Sequence, residues 1–129
     1  MATFRQFEDI QAWKDSMVLA EAVYSASREG PFAKDFGLRD QMRRAAVSVS
    51  SNIAEGFERD SKTEFVRFLA IAKGSVGELR SQLYLANRQG YLDDENFGRL
   101  RGLAIDVSRK IARLAEYLRN DKELEHARA

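Results

Sequence analysis

Residues 41–56 read QMRRAAVSVSSNIAEG, and this stretch decides the fold. On a helix turning about 100° per residue, Leu38, Met42, Ala45, Val49 and Ile53 line one side, with Ala46 and Phe57 at its margin. That is the apolar stripe of an amphipathic helix. Arg44, Ser48, Ser51 and Glu55 fall on the opposite side, at spacings of four, three and four. Ser48, Ser50 and Ser51 are modest helix formers, and small side chains let another backbone come close. The polar side is therefore either a solvated face or a seam against a neighbouring helix or subunit.

Immediately downstream, Ser61-Lys62-Thr63-Glu64 has the form of a capping box, with Ser at the N-cap and Glu three residues later. The turn before it is only a few residues long, so the two helices it joins must be antiparallel neighbours. The next helix carries a core seam of Phe65, Leu69, Ala72, Val76, Leu79, Leu83 and Ala86 and stops at Gly90, a C′ glycine. Its other side holds Ala70, Gly74, Gly77 and Ser81. A mid-helix glycine costs about 1 kcal/mol against alanine. Two of them point to close approach of another backbone, the plainer alternative being an exposed face of small residues.

The last helix opens at Asp93, with Asp94 and Glu95 where carboxylates favour the helix dipole. Its seam is Phe97, Leu100, Ala104, Val107, Ile111, Leu114 and Leu118, and its outer face carries Arg99, Asp106, Lys110, Arg113 and Tyr117. Asp106 and Lys110 are spaced for an i,i+4 ion pair. Residues 120–129 read as a charged, frayed tail.

Upstream, Asp9 is the N-cap candidate of the first helix. Ile10, Trp13, Met17, Ala20 and Tyr24 form its heptad-like core seam, and Ala12, Ser16, Leu19, Val23 and Ala26 form a second one. A second apolar seam asks for a second partner, and self-association is one answer. A single broad core face is the other. Gly30-Pro31 is expected to end this helix, and Gly37 to act as a hinge before Leu38. Phe32 and Phe36, between them, are expected to cap one end of the core.

The expected fold is all-α. It is an antiparallel up-down-up-down four-helix bundle of one domain, with helices near 9–28, 38–59, 62–89 and 94–120. A chain of 129 residues can bury a self-sufficient core. Cysteine is absent, which removes disulfides, thiolate nucleophiles and Cys-based zinc sites and fits a reducing cytoplasm. The N-terminal stretch has no apolar signal region, and no run approaches the ~20 apolar residues of a membrane span.

Catalytic chemistry is equally sparse. The one histidine, His126, sits in a Glu-x-x-His string with Glu123. A di-iron bundle needs two such strings plus two inward carboxylates, and the core seams hold no Asp or Glu. With no other His and no Cys, a nucleophile has no general base. Gly74-Ser75-Val76-Gly77 lies mid-helix and not on a strand-to-helix elbow, and no P-loop or dinucleotide fingerprint occurs. No enzyme, cofactor or metal is expected.

Net charge is +1. Residues 38–90 are mildly basic, and residues 1–37 mildly acidic, which is far from a strongly basic domain. Candidate phosphate contacts are Arg39, Arg43 and Arg44 on one helix or Arg99, Arg109, Lys110 and Arg113 on another, the plainer alternative being ordinary solvated cations paired with Asp40, Asp106 and Glu116. No interleaved exposed aromatics are apparent to stack bases.

Gln41, Arg43, Arg44, Ala45, Ser48, Asn52, Ile53, Ala54, Glu55 and Gly56 resemble the signature of the 23S rRNA-intervening-sequence protein family, small bacterial four-helix-bundle proteins. The resemblance extends through Phe68, Leu69, Ala72, Gly74, Ser75, Glu78 and Leu79, and back through Trp13 and Tyr24, over residues 7–118. Many relatives place Pro where this chain has Ser50, so no proline bends this helix. The resemblance implies closed homopentamers. It also implies RNA, or a nucleic-acid-processing protein, as a partner. A similar bundle serves as an accessory protein beside reverse transcriptases in diversity-generating retroelements. Two functions are thus expected as alternatives. One is a homo-oligomeric adaptor or structural protein, docking through Ala12, Ser16, Leu19, Val23, Ala70, Gly74, Gly77 and Ser81. The other is an RNA-binding accessory module.

Overall fold

The computed structural model describes residues 4–120. Within them the chain is all-helical: a 3-10 turn at Phe7–Asp9, then α1 (Gln11–Ala26), α2 (Gly30–Lys34), α3 (Phe36–Glu58), α4 (Lys62–Arg88) and α5 (Asp94–Asn120). α1 packs on α3 and α5, and α4 packs on the same two helices from the other side. One contiguous apolar cluster fills the bundle and draws on all of them. No helix among the described residues is long and apolar enough to cross a membrane.

The segment 41–56 is central to this packing. Met42, Ala45, Ala46, Val49 and Ile53 are buried, as the periodicity requires. At its end Gly56 is buried too, against Phe65 and Phe68 of α4. The core seams of α4 and α5 also lie where the spacing places them. All seven α4 positions are buried, and on α5 only Phe97 and Leu114 stay partly open. Ser61 caps α4 by accepting from the Glu64 amide at 3.0 Å. The reciprocal half of the box does not form, because the Glu64 carboxylate turns to Arg67. Gly90, at φ +80°, closes α4 while the Tyr91 amide reaches back to the Ala86 carbonyl at 2.9 Å.

Several expectations near the N-terminal half need correction. Asp9 caps nothing, because it ends the 3-10 turn, and α1 starts at Gln11 with Ile10 in the cap position and no side-chain bond. Gly30-Pro31 starts a helix as well as following one: Pro31 occupies the first turn of α2, where a missing N–H costs nothing. Gly37 is not a hinge but lies inside α3, whose true cap is Asp35, accepting from the Leu38 amide at 3.2 Å. Phe32 is buried and stacks on Tyr91, with ring centroids 5.3 Å apart. Phe36 does not cap the core; it is 63% exposed, with the Arg39 guanidinium over its ring.

The larger correction concerns α1. Ala12, Ser16, Leu19 and Val23 do not form an outward seam: all four are buried in the chain's own core. Of the seam read as core, Ile10 and Ala20 are buried, Trp13 and Tyr24 are half-buried, and Met17 is exposed. Two apolar seams of similar width left the choice of face to packing, and packing chose the branched pair Leu19 and Val23. Ser16 can join them because its hydroxyl donates to the Trp13 carbonyl at 2.6 Å, so no polar group is stranded. Trp13 and Tyr24 border the core instead, Trp13 edge-on to Phe7 and Tyr24 beneath Arg43.

Candidate interaction surfaces

The signature residues of α3 divide among its faces. Ser48 is half-buried against α4, its hydroxyl 3.0 Å from that of Ser75. Asn52 donates to the Ser48 carbonyl at 2.8 Å and to its hydroxyl at 2.9 Å. The polar side of α3 is thus partly an internal seam within one chain, while Arg44, Ser51 and Glu55 beside it stay exposed. Gln41 is exposed as well, and Gly56 is the tight α3–α4 contact. Arg43 faces the other way. Its Nε donates to the Ser27 hydroxyl at 2.9 Å, its Nη2 to the Ser27 carbonyl at 3.2 Å, and its guanidinium lies 4.6 Å from the Tyr24 ring centroid. It ties the end of α1 to α3.

The candidate phosphate contacts divide in the same way. Arg43 is spent on Ser27 and Tyr24. Arg39 donates to the Ala33 carbonyl at 2.9 Å and pairs with Asp40. Lys110 reaches across from α5 to Asp15 of α1 and also pairs with Asp106 at 3.0 Å. The Lys110–Asp106 spacing was legible in the sequence, but Asp15, ninety-five residues away, was not. Burial pushes the Asp15 carboxyl up. The hydrogen bonds from Lys110 and Gln11 outweigh that and hold it below its ordinary value. The hydrogen bonds to Asp15 and then Asp106 raise Lys110. Arg44, Arg99, Arg109 and Arg113 are exposed.

Among the described residues, α1, α3 and α4 carry apolar surface outside the core. One part is a groove of about 550 Å³ between α1 and α3, floored by Ala20 and Ser50, with Met17, Tyr24 and Val47 at its sides and Glu21 and Arg28 at its edge. Val18, next to it on α1, is 52% exposed. Another is on α4, where Ala70, Gly74, Gly77 and Ser81 are exposed and the same helix also exposes Ile71 and Leu85. A Cβ added at Gly74 or Gly77 would meet no neighbouring atom of the described residues within 4 Å, so no backbone among them uses the space they leave. Val18, Val47, Ile71 and Leu85 escaped the sequence reading. Their signal is an apolar residue just off a core stripe, which periodicity absorbs into the stripe's margin.

No group of three or more His, Cys, Asp or Glu side chains is placed to hold a metal among the described residues. The Glu-x-x-His string at 123–126 lies outside the described residues.

A helical bundle in which the signature residues Arg43, Ser48 and Gly56 join α3 to α1 and α4 defines the class of protein. Residues 8–113 match the 23S rRNA-intervening sequence protein family, and the chain belongs to it. Among solved structures, it is similar to a protein of unknown function from the S23 ribosomal protein family of Bacteroides thetaiotaomicron. The two are 21% identical, with a TM-score of 0.75, over 81% of this chain and 95% of that one. At that identity the likeness speaks to the fold. A comparison with curated proteins gave no match.

Proposed function

We propose that this protein is a non-enzymatic, homo-oligomeric adaptor or structural protein of the cytoplasm, whose copies dock on one another through apolar surface outside the core. We read it as one domain with its four long helices antiparallel, up-down-up-down. The pairs Ser48–Ser75 and Gly56–Phe68 support that order, because the numbers rise along α3 as they fall along α4. Tyr84–Phe97 and Asn87–Asp94 do the same for α4 and α5.

The observation that carries the assembly is the exposed apolar surface: Val18 and Val47 at the α1–α3 groove, and Ile71 and Leu85 on α4. Exposed large apolar residues beside a concave groove are a feature of contact sites. The groove and the α4 face are on different helices and differ in shape. A contact joining one to the other is head-to-tail, and such contacts close into rings when the rotation allows. The family resemblance points to five copies. Leu19 and its three buried neighbours drop out of the interface, while Ala70, Gly74, Gly77 and Ser81 stay in it. Light scattering on purified protein at micromolar concentration tests the reading: a mass several times 14.7 kDa is expected, and a monomer peak would end it.

A second reading, an RNA-binding accessory module, is favoured by one feature. Phe36 is an exposed aromatic with the Arg39 guanidinium over one face of its ring, which leaves the other face for a base to stack on. Arg44, Arg99, Arg109 and Arg113 are its remaining phosphate contacts, and repetition around a ring would multiply them. A salt-dependent gel shift with structured RNA is its test, and no shift at low salt would remove it.

A further inference from the structure

We draw no further inference here: the strongest candidate, the apolar groove between α1 and α3 with Met17 and Val47 at its sides, carries nothing beyond the self-association already proposed, because nothing in the structure shows what covers it.

Discussion

The Cβ that Gly56 lacks would stand 2.7 Å from the Cβ of Phe68. It would also lie 3.1 Å from the Phe65 ring and 3.4 Å from the Phe65 carbonyl. Neither the Phe68 Cβ nor that carbonyl is the loose end of a side chain, so α3 and α4 would have to separate. Gly56→Ala is therefore expected to destabilise the fold by about 1–3 kcal/mol, the usual cost of overpacking. Gly102→Ala is the control, since its Cβ would enter open space. That change should stabilise α5 by about 0.5–1 kcal/mol through helix propensity. Urea denaturation of both variants checks the pair of signs.

The two faces of α1 can be separated by mutation. Leu19 is fully buried, so Leu19→Ala should cost about 2–5 kcal/mol. Val18→Lys and Val47→Lys alter exposed positions, and each should leave the fold within about 0.5 kcal/mol. Those two should weaken the assembly instead. Thermal melts followed by circular dichroism at matched concentration, together with sizing, distinguish the two effects.

Arg43 makes a fork that lysine cannot copy. Arg43→Lys keeps the charge but loses the paired contacts to Ser27 and the planar stack on Tyr24. A loss of about 1–2 kcal/mol is expected, close to the worth of charged hydrogen bonds plus a cation–π contact. If Arg43 were a phosphate ligand alone, its replacement would leave the denaturation midpoint unmoved.

The Asp15–Lys110 contact sets a pH dependence. The folded carboxyl of Asp15 is held below its unfolded value, so its contribution is present above that unfolded value. It is lost as pH falls through the folded one. Lys110 is raised, so its contribution is present below the unfolded value and lost only as pH rises through the folded one. The pair should therefore stabilise α1 against α5 through the neutral range, by about 1 kcal/mol or less because water reaches both ends. Asp15→Asn should flatten the acid limb of a stability-against-pH curve. An unchanged limb would assign that limb to other carboxylates.

The sequence carried the fold well where one stripe was unambiguous. On α4 and α5 a single seam of large residues faces a polar side, and all but Phe97 and Leu114 of those positions are buried. On α1, Ile10–Tyr24 and Ala12–Ala26 compete at equal spacing, and only the shape of the packed core ranks Leu19 above Met17. The short α2 was hidden because Gly30-Pro31 reads as a stop, although proline is at home in a first helical turn. Of the candidate surfaces, the small-residue face of α4 was legible as a glycine cost without an internal reason. The groove beside Val47 was not, since a groove belongs to two helices and to no single stretch of chain. The Arg43–Ser27 and Lys110–Asp15 contacts were hidden for the same reason: Ser27 and Asp15 reach them across the bundle.

Gly74→Leu and Gly77→Leu bear on the proposed assembly most directly, because a Cβ at either position would meet no neighbouring atom of the described residues within 4 Å. Sizing by light scattering at micromolar concentration should give a multiple of 14.7 kDa for the unaltered protein. It should give a folded monomer for either variant, with helical content retained. An unaltered protein that runs as a monomer, or leucine variants that assemble as fully as it does, would contradict docking through this face.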